Sequence, residues 1–316
     1  MDFYSRVNPE LREGIDTTPV IQLPDDLEMA RQMPIPPTLN SKFVQITERL
    51  VSGGDGQEMM VKIYEPVQRD QSNLPAVIWI HGGGYVLGHP NGEDSLCENF
   101  VEAANCIVIS PDYRLAPEHP FPAAIEDCYA TLLWLTNSAE ELNIDLTRIA
   151  IGGGSAGGGL TAALALMARD KGGPAICFQM PLYPMIDDRN ITFSSNEIED
   201  NKAVWYTSNN LAAWRMYLGE HANGNISPYA APIRAEDLSG LPPTYTCVGQ
   251  LDPFRDETIN YVTRLTQAGV AVEFHLYPGC FHAFEHIVPN AEISQRAQNE
   301  YINALKRAFS FSDKVI

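Results

Sequence analysis

The chain is 316 residues long, 45% apolar and 19% charged, with 40 acidic residues against 21 basic ones and a formal net charge of −19. That length buries a large core, either as one α/β domain with insertions or as two small domains, and the composition is that of a globular enzyme. The acidic balance disfavours nucleic acid and anionic membranes as partners, no Lys/Arg-rich block offsets it, and apolar runs such as AVIWI and CIVI are far too short to cross a bilayer.

Residues 1–40 are rich in proline, with one short helical stretch at DDLEMARQM. The opening MDFYSRVNPELREG lacks the basic-then-apolar order of a secretion signal, so a cytoplasmic location is expected. Strands are expected over 43–50 and 58–65, joined by SGGDGQ into an antiparallel hairpin at a sheet edge. From residue 76 onward, strand-like runs at 76–81, 106–110, 147–152, 175–181, 244–249 and 271–277 are interleaved with helical runs at 93–104, 121–138, 156–170, 254–268 and 291–310. This alternation implies a mostly parallel sheet with helices on both faces. Residues 183–227 carry Trp205, Tyr206, Trp214 and Tyr217 and are far longer than an ordinary connection. Together with 1–40 they are expected to form a cap on one domain spanning 1–316. Cys97, Cys106, Cys128, Cys177, Cys247 and Cys280 form no CxxC and no zinc-type spacing, so free thiols and no metal are expected.

The stretch IGGGSAGGGL, residues 151–160, concentrates the functional question. A flexible linker does not fit, because a strand (RIAI) and a helix (LTAALALMARD) bound it. Gly152, Gly154 and Gly157 satisfy the G-x-G-x-x-G of a dinucleotide site, but the acidic partner of such a site is misplaced: Asp187 and Asp188 come late, beyond a proline. No lysine follows the glycines, which excludes a Walker A loop. The third template, G-x-S-x-G, is met by Gly153, Ser155 and Gly157, where small neighbours let a strained strand-to-helix turn present the serine. A serine nucleophile needs a base and an orienting acid. Asp252 follows the strand TYTCVGQ and His282 lies on the loop after VEFHLYP, so both emerge at the same sheet edge as Ser155. The glycine loop His81-Gly82-Gly83-Gly84 follows AVIWI at that edge and can turn backbone N–H groups toward an oxyanion, with a further donor from Ala156.

With HGGGY, GGGSAGG, LDPFRDE and FHAFE in this order, and the block PDYRLAPEHPFPAAIEDC between them, the chain resembles the hormone-sensitive-lipase-like esterases of the α/β-hydrolase superfamily over about residues 40–310. The resemblance implies an eight-stranded sheet with an antiparallel second strand, a helical cap, and hydrolysis of carboxylic esters; a serine mechanism requires no cofactor, and the size of the cap favours small, soluble esters. It assigns Ser155 as nucleophile, His282 as base, Asp252 as its acid partner, and Gly83, Gly84 and Ala156 as oxyanion donors. One position departs: the family usually has Asp before the serine, where this chain has Gly154. Altered substrate preference or stability is expected from that change, not loss of activity.

The competing residues have plain structural readings. Asp256 and His286 are weaker rivals for the acid and the base; His275 alternates within a strand; His81 anchors the glycine loop; Cys280 lacks an elbow around it. Trp205, Tyr206 and Trp214 fit an acyl pocket or cap packing equally well. Amidase or lactonase chemistry on the same residues, a non-catalytic receptor of this fold, and a homodimer are all compatible with the sequence. If His282 is the base it must be neutral, so activity should fall as pH drops through its titration, which for an unperturbed imidazole lies near 6.5.

Overall fold

The computed structural model describes residues 2–35, 41–69 and 73–311, so residues 1 and 36–40 of the expected cap lie outside the described residues. Its strands are β1 (Val44–Ser52), β2 (Glu58–Pro66), β3 (Leu74–Ile80), β4 (Ile107–Pro111), β5 (Ile144–Gly154), β6 (Phe178–Leu182), β7 (Thr244–Leu251) and β8 (Val272–Phe281). They form one sheet in the order β1-β2-β4-β3-β5-β6-β7-β8. β2 pairs antiparallel with both β1 and β4, and every pairing from β4 to β8 is parallel. The edge hairpin and the mostly parallel α/β sheet expected from the sequence are therefore both present.

Every residue of β3, β4 and β6 is buried, as a sheet covered on both faces requires. Alternation along β3 sends Ile78 and Ile80 to one face and Val77 and Trp79 to the other. The first face is covered by helices α2 (Ala123–Asn137), α3 (Ala156–Asp170) and α5 (Arg255–Gln267), and the second by α1 (Asp94–Ala104) and α6 (Glu292–Phe311). Here α4 denotes Thr207–Leu218, in the long segment after β6. Helix α3 is buried from Ala156 to Ala168, and its alanines and glycines bring it close to the strands on either side of it.

Two boundaries differ from the expected ones in a way that matters. β5 starts at Ile144, shifts register against β3 before Ile149, and then runs to Gly154, so the serine leaves the strand with no intervening loop. β8 continues through Pro278 and Gly279 to Phe281, where a break was expected after 277. The β7–β8 register shifts between Gly249 and Leu251, and Gly279 takes φ +69°, so a bulge absorbs the Pro-Gly pair and the strand resumes. His282 is thus carried directly on a strand end.

The N-terminal segment and the insertion meet each other. The Ile21 carbonyl accepts from the Tyr206 hydroxyl and the Asn209 amide at 3.0 and 2.9 Å, and Leu23 N–H donates to Asn209 at 2.9 Å. The expected short helix is Leu27–Arg31, and Arg31 donates to the carbonyls of Val86 (2.9 Å) and Ala116 (2.7 Å). Among the described residues no helix is long and apolar enough to cross a membrane.

Candidate active site

In a parallel sheet the strand C-termini share one edge, and here each contributes. β3 leads into His81–Gly84, β4 into Asp112, β5 into Ser155, β6 into Tyr183, β7 into Asp252 and β8 into His282. Ser155 has φ +58° and ψ −119°, a strained backbone for a residue with a Cβ. Gly153 and Gly157 permit it: a Cβ on Gly153 would stand 2.6 Å from the Gly157 carbonyl, and one on Gly157 would stand 2.0 Å from the Ile80 oxygen. Ser155 also precedes the first residue of α3, so its side chain sits at the positive end of a fifteen-residue helix whose first N–H groups have no partner within the helix.

The structure brings the three expected residues together. His282 Nε2 lies 2.9 Å from Ser155 Oγ, and His282 Nδ1 lies 2.8 Å from Asp252 Oδ2. The other Asp252 oxygen accepts the Phe254 N–H at 2.8 Å, which fixes the carboxylate's rotation. Asp252 is fully buried and Ser155 and His282 are nearly so. Rings flank the imidazole: Phe254 and Tyr183 both stand at 5.1 Å, nearly perpendicular to it, and Trp205 is at 6.4 Å.

A cavity of about 910 Å³ opens onto Ser155 and His282. Gly82, Gly83 and Gly84 form one wall, with positive φ at Gly83 (+114°) and Gly84 (+61°). A Cβ on Gly84 would meet the Trp205 ring at 2.4 Å, so the tryptophan lies directly on the glycine loop. Trp205 lines the cavity; Trp214 packs in the core against Tyr85 and Tyr217 instead, and Tyr206 holds the N-terminal segment. Ile21, Ala30, Met33 and Ile35 bring the N-terminal segment into the cavity wall.

The rival residues are engaged elsewhere. Asp256 accepts the Ser194 N–H at 2.8 Å and pairs with Arg255 at 2.7 Å. Asp187 pairs with Arg189 and Asp188 with Arg234, which takes away the acidic partner a dinucleotide site would need. His81 stacks on Tyr113 with its Nδ1 2.8 Å from the Gly82 carbonyl, and burial lowers its pKa, so it stays neutral and anchors the loop. Burial pushes the Cys280 thiol up to about 12, leaving it protonated. His286 lines the cavity, while the Ser155 contact belongs to His282. His275 faces Glu273 and Glu300. Among the described residues no group of three or more His, Cys, Asp or Glu side chains could hold a metal.

Two cavity residues escape a reading by motif. Arg31 fixes the N-terminal helix with a forked pair to Glu118 at 2.8 and 3.0 Å besides its two carbonyls. Tyr183 could have been found by its place, since it follows β6 as Ser155 follows β5.

The description "alpha/beta hydrolase fold" matches residues 77–286 of the chain. Esterase LipI of Mycobacterium tuberculosis is 36% identical over 313 residues, 95% of this chain and 94% of that protein. Carboxylesterase NlhH of the same organism is 38% identical, with 96% of each covered. Among solved structures, a bacterial heroin esterase superposes with a TM-score of 0.90 at 38% identity, covering 98% of this chain and 99% of that one. Esterase LipW from Mycobacterium marinum gives 0.86 at 33% identity, with 97% of each covered.

Proposed function

The chain belongs to the α/β-hydrolase fold family, in its hormone-sensitive-lipase-like branch, and is a serine carboxylesterase; on that footing we propose that Ser155, His282 and Asp252 carry the reaction through an acyl-enzyme. The observation that supports this most is the unbroken Ser155–His282–Asp252 chain of hydrogen bonds at the floor of the cavity. His282 takes the proton from Ser155 Oγ as that oxygen attacks the ester carbonyl. Asp252 holds the Nδ1 proton, and with it the tautomer and the imidazolium that forms. The N–H groups of Gly83, Gly84 and Ala156 receive the oxyanion, a role supported by the glycine loop on the cavity wall and by the place of Ala156 at the N-terminus of α3. His282 then protonates the leaving alcohol, and water repeats the cycle to free the acid.

The substrate reading is a short- to medium-chain, soluble ester. The cavity volume lies within the ~300–1,000 Å³ typical of small-ligand sites. The described part of 1–40, residues 2–35, and residues 183–227 serve as the cap, because Ile21, Ala30, Met33 and Ile35 from one and Val204, Trp205 and Asn209 from the other line the cavity, and Ile21 and Leu23 bond to Asn209. The test is a p-nitrophenyl ester chain-length series on wild type and Ser155→Ala. Short to medium chains should give the optimum, and the variant should lose kcat/KM by about 10⁴-fold or more on every chain length. Retained turnover would overturn the mechanism, and an optimum at long chains would overturn the substrate reading.

A further inference from the structure

Glu285 is a buried carboxylate, 1% exposed, that plays no part in the proposed chemistry, yet it sits three residues after His282. Its Oε1 accepts the Tyr183 hydroxyl at 2.6 Å, and its Oε2 has no partner among the described residues. Tyr183 is held at two further points. Its N–H donates to the Cys247 carbonyl at 2.7 Å, and its ring lies against Gly154: a Cβ built there would stand 3.0 Å from the hydroxyl and 3.1 and 3.3 Å from ring carbons. Its backbone takes φ +32°, a conformation these contacts must enforce. So held, the ring stands at 77° to the His282 imidazole, with Phe254 at 85° as the other flanking ring.

We infer that Tyr183 is a positioning residue for His282, that Glu285 holds Tyr183 in place, and that glycine at 154 is what admits the ring. The imidazole must keep Nδ1 on Asp252 while Nε2 shuttles a proton between Ser155 and the leaving group. Free rotation about its Cβ–Cγ bond would break both contacts at once. Two nearly perpendicular rings resist that rotation, and Tyr183 can do so only while its hydroxyl reaches Glu285. Any side chain at 154 presses on the same hydroxyl and ring edge. The departure at Gly154 is thereby explained: the space beside the nucleophile is taken by Tyr183, whose polar end is bound by a carboxylate arriving from the His282 loop.

This inference rests on the proposed roles of Ser155 and His282. The experiment is a set of variants assayed as kcat and KM per active site titrated with a p-nitrophenyl phosphonate, with folding checked by thermal melting. Tyr183→Phe, Glu285→Ala and Gly154→Ala should each lower kcat about tenfold, within what sub-ångström misplacement of a catalytic group costs, and leave KM within about twofold. Glu285→Gln keeps an acceptor for the hydroxyl and should recover most of the loss. Tyr183→Phe combined with Glu285→Ala should lose no more than either alone, because both remove one contact. Wild-type kcat per titrated site in Tyr183→Phe and Gly154→Ala, or losses that multiply in the double variant, would overturn the inference. A loss in Glu285→Gln equal to that in Glu285→Ala would remove Glu285 from it. Ser155→Ala keeps the two failures apart: turnover surviving there overturns the proposed mechanism, and a dead Ser155→Ala beside a silent Tyr183→Phe overturns the inference alone.

Discussion

Two aspartates four residues apart, Asp252 and Asp256, show how single atoms divide the roles near the site. Asp252 directs one oxygen to His282 and the other to the Phe254 N–H, whereas Asp256 turns to Arg255 and Ser194. Burial works to raise the Asp256 pKa, but the Arg255 hydrogen bond and the Ser194 N–H outweigh it and hold the carboxylate below its ordinary value. Asp252→Asn should therefore lower kcat by about 10⁴-fold by presenting the wrong tautomer of the base. Asp256→Asn should leave kcat within about threefold and lower the melting temperature instead, since its bond to Ser194 joins the insertion to the first turn of α5. Steady-state kinetics and melting curves on the two variants check both outcomes.

Among the secondary-structure elements, what is legible in the sequence is what repeats locally. β3, β4 and β5 carry β-branched residues in apolar runs, and α3 and α5 carry helical spacing right up to the motifs, so Ser155, Asp252 and His282 could be placed at one sheet edge from the sequence. Elements that escape are short or irregular. Phe3–Arg6, Arg12–Thr17 and Phe193–Glu197 are four to six residues long, too short for a period to show. α4 buries Asn209 and Asn210 alongside Trp214 and Tyr217, which blurs its apolar stripe. The Tyr183–Glu285 bond joins residues 102 positions apart and leaves no local pattern at all.

Glu257, on α5, joins two of these levels. It is the last residue of LDPFRDE, and one of its oxygens receives the N–H groups of Ile186 and Asp187 from the segment after β6, at 2.9 and 3.3 Å. Burial raises its pKa well above the ordinary carboxylate value, so the fold favours its protonated form. Its contribution to stability is complete below the unfolded-chain value, about 4.3, and declines as pH rises toward the folded value. Glu257→Gln cannot ionise. Its melting temperature relative to wild type should climb as pH rises above about 4.3. A difference that stays constant between about pH 4 and 8 would contradict this reading.

For the whole molecule, the net charge of −19 has a counterpart inside the cavity. Glu93, Asp112 and Glu118 line it against Arg31, which Glu118 already neutralises, and Asp112 faces His89 at 3.7 Å. A p-nitrophenyl hemisuccinate should therefore be turned over with a lower kcat/KM than the neutral butyrate. Raising ionic strength from about 0.01 M to about 1 M, which shortens the screening length from about 30 Å to about 3 Å, should narrow the gap. Equal kcat/KM for the two esters at low salt would contradict it.

The mostly parallel sheet brings Ser155, His282 and Asp252 together from three strand ends, and the proposed mechanism holds that an acyl group resides on Ser155 during turnover. The direct measurement is peptide mass mapping of enzyme acid-quenched during the p-nitrophenol burst. One acyl group per chain on the peptide that contains Ser155 is the result this account predicts. Acyl label on another residue such as Cys280, or a burst with no covalent adduct, would contradict it.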